Sequence, residues 1–175
     1  MSLRKCIILG GFILALLALV LIAIGVTNMR PERALNNFSR IVEQGNIENI
    51  SLTIYYINPN IFTPFAISVS DLRRNANEIV VEGNDLKEYI DLFSQINSDV
   101  LIFYEHEESI LDARIYYVFR RGNRKIFDVA MWGGYDEASI FINGIEFKMN
   151  NIFVEIIIPF MPEHLAENLK GWIEN

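Results

Sequence analysis

Cysteine is almost absent from this chain: Cys6 is the single one among 175 residues. The sequence therefore excludes an intrachain disulfide and a thiolate metal site. Cys6 also precedes the long apolar segment, whereas a lipoprotein cysteine would follow it, so we do not expect lipid attachment by that route. An exported domain of this chain must be stabilised by its hydrophobic core alone.

Histidine is scarce as well, with two in the chain. His106 stands among Glu105, Glu107, Glu108 and Asp112, and imidazole with carboxylates can bind a divalent metal. However, neighbouring side chains of an extended segment point in opposite directions, and no second histidine is near in sequence. We expect a solvated connection between strands and no metal site.

Catalytic and nucleotide-binding motifs are missing. His164 lies beside Glu163 and Glu167 in the first turn of a predicted helix, where an exposed histidine is the ordinary case. No Gly-x-Ser-x-Gly turn supplies an activated serine. No glycine-rich loop follows a strand and opens a helix, so nucleotide binding has no support. The sequence therefore assigns no catalytic residue and no cofactor.

Positive charge is in deficit, with 15 Lys and Arg against 22 Asp and Glu. From Asn46 onward the counts are 10 and 20, so 10 − 20 = −10. A body of this charge is repelled by polyanions, which disfavours nonspecific binding to nucleic acid.

Charged and strongly polar residues are absent from Ile7 to Val26, a run of 20 residues. As a helix this run spans about 30 Å, the thickness of a hydrocarbon core, whereas the apolar part of a cleaved signal usually has about 7–15 residues. We predict a basic tail at 1–6 and a retained transmembrane helix at 7–28. The alternative is cleavage after Gly25.

Arg4 and Lys5 precede the helix and Arg30, Arg33 and Arg40 follow it, so a count of basic residues does not decide its orientation. The signal-like layout of a short basic tail, an apolar run and then the bulk of the chain predicts that the remaining chain lies on the outer side of the membrane.

A juxtamembrane helix is predicted within 29–45. Pro31 can begin it and Gly45 can end it, and Leu35, Phe38, Ile41 and Val42 form one apolar stripe. The helix either continues the membrane helix as a stalk or packs on the domain.

The remaining residues, 46–175, are predicted to form an α+β domain: a mostly antiparallel sheet of about five to seven strands with two covering helices. The predicted helices lie at 84–96 and in the last segment after Pro162. The predicted strands lie at 50–56, 65–69, 78–82, 100–104, 115–119, 125–132, 139–142, 145–149 and 152–158.

Two hairpins are predicted from their turn residues. Asn143-Gly144 is typical of a type I′ turn, and Gly122-Asn123 is a second two-residue signal. The second turn pairs Arg121 with Arg124 and Arg120 with Lys125, which gathers four cations at one tip. We interpret this tip either as an edge protected from aggregation or as a candidate anion-binding site.

A second candidate site is the loop containing Trp132, Tyr135, Asp136 and Glu137, with Asp128 nearby in sequence. Aromatic faces and carboxylates suit a sugar ligand, although an ordinary loop between strands has the same composition.

The function expected first is a single-pass membrane protein whose acidic domain binds or senses a protein or an anionic envelope partner. One alternative is a glycan-acting enzyme of the cell envelope that uses the Trp132–Glu137 loop. A third is a small accessory subunit of a membrane complex.

Overall fold

The computed structural model describes residues 30–58, 61, 63–103, 111–132 and 139–174. Within these ranges the chain folds as one seven-stranded antiparallel sheet with helices packed on it. No helix in the same ranges is both long and apolar enough to cross a bilayer. The predicted membrane helix at 7–28 lies outside the described residues.

Strands and helices are interspersed along the chain, with 3₁₀ turns at 46–49, 87–89, 98–100 and 158–160. The helices are α1 (Pro31–Glu43), α2 (Val69–Asn75), α3 (Gly83–Leu86), α4 (Ile90–Phe93), α5 (Ile152–Glu155) and α6 (Glu163–Glu174). The strands are β1 (Ile50–Tyr56), β2 (Asn77–Glu82), β3 (Ile102–Phe103), β4 (Ile115–Arg121), β5 (Arg124–Met131), β6 (Ser139–Ile142) and β7 (Ile145–Lys148).

The strand order across the sheet is β2-β1-β4-β5-β6-β7-β3. Strands β4 and β5 and strands β6 and β7 are joined by two-residue turns. Asn143 and Gly144 both have positive φ, at 51° and 80°, as a type I′ turn requires. Both hairpins predicted from the turn residues are therefore confirmed.

The main core lies on one face of the sheet, and α1 is part of it. Leu35 and Phe38 of α1 are fully buried. The Phe38 ring contacts the rings of Phe93, Phe119 and Phe127 at centroid distances of 6.1, 4.6 and 5.2 Å. Of the two arrangements that the sequence allowed for this helix, the described residues form the one packed on the domain.

A smaller cluster lies on the other face of the sheet, where Leu72 of α2 packs with Tyr116, Val118 and Ala130. The expectation of two covering helices is therefore too low. Helix α2 was not predicted, although Ser68 caps it by accepting a hydrogen bond from the backbone N–H of Asp71 at 3.1 Å.

Two predicted strands are wrong. Residues 152–158 form α5 and the beginning of a 3₁₀ turn, because a run that is apolar except for Glu155 carries no clear period that separates a strand from a buried helix. Asn150 favours the helix by accepting the backbone N–H of Ile152 at 3.2 Å. The segment from Phe65 joins no strand, and Val69 begins α2. The helix predicted at 84–96 is divided into α3, a 3₁₀ turn and α4.

Candidate anion-binding site

The tip of the β4–β5 hairpin has the predicted register. Arg121 pairs with Arg124, and Arg120 pairs with Lys125. Gly122 has a φ of 56°, which suits the first central position of a type II′ turn. Like charges therefore do face each other across the tip.

A β-bulge next to the tip decides where these charges point. Phe119 pairs with Phe127, but the next pair is Arg120 with Lys125, so Ile126 is an extra residue on β5. Such a bulge shifts the alternation of side chains between the two faces of a strand by one residue.

The four cations consequently divide between the two faces of the sheet. Phe119 belongs to the main core, so Arg121 and its partner Arg124 are on the face that carries α1. Arg120 and its partner Lys125 are on the opposite face. The cations of the tip therefore form two pairs with different surroundings and not one cluster of four.

Helix α1 carries a second set of cations on its polar side. Arg33 and Arg40 are exposed and seven residues apart, with the exposed Asn37 between them. This i, i+4, i+7 spacing places all three side chains on one stripe of the helix, away from the buried Leu35 and Phe38.

The two sets meet along one cleft of about 550 Å³ between α1 and the hairpin. The cleft has the size of ordinary ligand pockets, which run from about 300 to 1,000 Å³. All of its lining residues are basic, amide or apolar, and none of these described residues is a carboxylate. They are Arg33, Ala34, Asn36, Asn37, Arg40, Ile41, Arg121, Arg124, Lys125 and Ile126.

Lys125 also borders the cleft, although its register turns it toward the opposite face of the sheet, where it has an acidic partner. Its Nζ lies 2.6 Å from Oδ2 of Asp128. The other ion pairs in the described part of the chain do not include an arginine of the cleft; they are Lys87–Glu48, Arg114–Asp112 and Lys170–Glu167. Four guanidinium groups therefore supply the uncompensated charge of the cleft.

Asp128, which is near the candidate sugar loop in sequence, belongs to a network on the second face of the sheet. Its Oδ2 also accepts a hydrogen bond from the Tyr116 hydroxyl at 3.2 Å, and its backbone N–H donates to Asn143 Oδ1 at 3.1 Å. Burial, followed by the negative charge of Asp128, raises the pKa of Tyr116 well above its ordinary value. Asp128 thus anchors Lys125 and is occupied by structural contacts.

The candidate sugar loop begins at Trp132, whose side chain is partly exposed. Its ring lies 5.7 Å from Cζ of Arg114, which is a cation–π arrangement. The other three candidate residues of this loop, Tyr135, Asp136 and Glu137, lie outside the described residues. The glycan-acting reading of this loop stays a prediction.

Arg114 acts as a clamp at this end of the sheet. It is 2% exposed and donates to the Ile61 carbonyl at 3.0 Å, to Thr63 Oγ1 at 2.7 Å and to Asp112 Oδ2 at 2.9 Å. These bonds tie the segment after β1 to the start of β4. Among described atoms its Nε has no hydrogen-bond partner.

The histidine candidates do not form a site within the ranges given above. Asp112 is engaged by Arg114, and His106 with its neighbouring glutamates lies outside the described residues. His164 is exposed on α6. No group of three or more metal-ligating side chains comes together in the described part of the chain.

The arginines of α1 are the site residues that sequence reasoning missed. The sequence alone indicates for Arg33 and Arg40 no more than positive charge after the predicted membrane helix. Their spacing on the polar side of an amphipathic helix was a signal for a cationic stripe, but nothing local indicates that the hairpin lies beside it.

Comparison of the chain with protein-family models, with curated proteins and with solved structures finds no match. The function of this protein must therefore be inferred from the geometry and charge of its own residues.

Proposed function

We propose that this chain is a single-pass membrane-anchored binding protein, with its domain on the outer side of the membrane, whose cationic cleft binds an anionic ligand. The observation that carries the proposal is the convergence of Arg33 and Arg40 of α1 with Arg121 and Arg124 of the hairpin around one concave surface.

The chemistry of the lining favours phosphate or carboxylate oxygens. Each guanidinium presents a planar set of N–H donors that can bind two oxygens at once, and it stays charged at any physiological pH. Four such groups close together repel one another unless an anion lies between them. Such clustering of like charges is unfavourable for the stability of the free protein, and a bound anion would offset the repulsion.

The contrast with the rest of the domain adds to the argument. From Asn46 onward the chain has a net charge of −10, yet no carboxylate among the described residues lines the cleft. An acidic body with a cationic cleft repels anions over much of its surface and attracts them at the cleft, which favours a specific site over general polyanion binding.

Binding of inorganic polyphosphate to the full-length chain in a neutral detergent tests the proposal. We expect saturable binding at low salt that weakens as salt screens the charges. A variant with Gln at Arg33, Arg40, Arg121 and Arg124 should lose the binding while its circular dichroism spectrum and melting temperature stay near those of the wild type, because all four side chains are exposed.

The matched control changes Arg73 and Arg74 of α2, which lie away from the cleft, to Gln. This double variant should bind like the wild type, whereas a double variant at Arg33 and Arg124 should bind more weakly. Absence of low-salt binding by the wild type, or equal loss in both double variants, would refute the proposal.

A further inference from the structure

We infer that the ligand of the cationic cleft is the phosphate headgroup of anionic phospholipids in the bilayer that holds the chain. This inference rests on the proposed function and names its ligand. The domain then lies against its own membrane with α1 and the β4–β5 hairpin facing the lipid.

The first step is the short distance between the cleft and the predicted anchor. The predicted membrane helix ends at residue 28, and Arg33 of the cleft follows five residues later. A fully extended chain covers at most about 3.6 Å per residue, so Arg33 is held within about 18 Å of the hydrocarbon boundary. The headgroup layer itself occupies about 5–8 Å of that distance.

The length of α1 extends this argument to the whole cleft. Arg40 is seven residues from Arg33 on the same helix, which corresponds to about 10 Å along its axis. Arg121 and Arg124 line the same cleft. A soluble polyanion would have to diffuse into the gap between the cleft and the bilayer, whereas lipid phosphates are already present there at high local concentration.

The second step is the number of cations. Clusters of four to eight basic residues on the cytoplasmic side of a membrane helix typically bind anionic lipids, and the same electrostatic attraction acts at an outer leaflet that contains such lipids. The cleft supplies Arg33, Arg40, Arg121 and Arg124, and the exposed Arg30 precedes the first turn of α1. Arginine is the better residue for this purpose, since its planar N–H donors match phosphate oxygens.

The third step is the orientation that the remaining charges impose. An acidic domain is repelled by an anionic bilayer over most of its surface, so its cationic side is the one that can approach the lipid. The opposite end of the sheet, where Tyr56 pairs with Asn77, then points away from the bilayer. Strand β1 separates the two ends by about 20 Å.

A site-specific fluorescence experiment on the full-length chain tests this orientation. In a Cys6→Ser background, Asn123→Cys places a fluorophore at the exposed hairpin tip, and Asn75→Cys places one at the far end of the sheet. Each protein is reconstituted into nanodiscs of phosphatidylcholine alone or of phosphatidylcholine with 30% phosphatidylglycerol, both containing a lipid with a nitroxide-labelled headgroup.

We expect the label at position 123 to be quenched more strongly when phosphatidylglycerol is present, and 0.5 M NaCl to reverse the difference. The label at position 75 should not respond. Changing Arg33 and Arg124 to Gln should lower the ratio of docked to undocked domain about 25-fold, at about fivefold per arginine. The Arg73 and Arg74 control should leave it unchanged.

Equal quenching at position 123 in both lipid mixtures, or equal loss in the control variant, would overturn the inference. Polyphosphate added to the phosphatidylcholine nanodiscs separates the two proposals. If polyphosphate binds but the lipid has no effect, the cleft binds a soluble anion and the lipid assignment is wrong. If neither anion acts, the proposed function fails as well.

Discussion

Replacing Phe38 by Ala tests whether α1 is an integral part of the domain. Phe38 is fully buried, and its ring contacts three other aromatic rings of the main core. Burial of such a side chain contributes about 1.5–3 kcal/mol. Each aromatic contact adds about 0.5–1.5 kcal/mol, but the same atoms serve all three, so the contributions overlap.

We therefore expect Phe38→Ala to lower the free energy of unfolding by about 4 kcal/mol, within the range known for Phe→Ala changes in protein cores. For a domain of this size the melting temperature should fall by about 10 °C or more. Thermal unfolding of the full-length chain, followed by near-ultraviolet circular dichroism, measures the change.

The neighbouring Asn37→Ala provides the control, because Asn37 is exposed and its replacement should change stability by less than about 0.5 kcal/mol. A loss below about 1 kcal/mol for Phe38→Ala would show that α1 is a peripheral stalk. In that case the cleft would not be a fixed feature, and the reasoning for a preformed anion site would fail.

Three further predictions concern the stability of the domain. Gly83→Ala should destabilise the domain by about 1–3 kcal/mol, because its Cβ would overlap backbone carbonyl groups of the 3₁₀ turn before β1. Gly171→Ala should be neutral or stabilising, because a Cβ at that position meets nothing within 4 Å. Equal effects of the two changes would contradict the close packing at Gly83. Arg114→Met should lower the free energy of unfolding, measured by denaturant titration, by about 2–3 kcal/mol, because it leaves the largely buried Asp112 without its cation. Adding Asp112→Asn to this variant should recover part of the lost stability. Burial raises the pKa of Tyr117 above its ordinary 10, so the stability that the protonated hydroxyl contributes is complete below pH 10 and declines as the pH rises further, by up to about 1.4 kcal/mol per pH unit. Tyr117→Phe should weaken this alkaline decline. An unchanged pH profile of stability would contradict the raised pKa of Tyr117.

The parts of the fold that sequence reasoning predicted are those with strong local determinants. Asn143-Gly144 dictates a turn because few other residue pairs accept positive φ at both positions. The register at Gly122 followed from the turn length alone, so the opposition of Arg121 and Arg124 was predictable.

The parts that failed depend on tertiary context. The run from Ile152 to Ile158 is apolar except for Glu155, so its sequence lacks a clear period, and Asn150 favours a helix by accepting a hydrogen bond from the backbone N–H of Ile152. The cleft required knowing that α1 packs beside the hairpin. That contact joins Arg33 to Arg124, which are 91 positions apart in the chain, and no local pattern encodes it.

The extra residue at Ile126 has a consequence for how this surface could change in evolution. Three positions separate Arg124 from Phe127, which in a regular strand would set the two residues on opposite faces, and the bulge at Ile126 brings them to the same face of β5. Deleting Ile126 would restore regular alternation and would leave Arg124 and Lys125 on the faces that they now occupy. Pairing β4 and β5 without a bulge while Ile126 is retained would instead exchange those two faces. The electrostatic character of the cleft thus depends on how the two strands pair as much as on composition, and a homologue of the same length without the bulge would present a different surface.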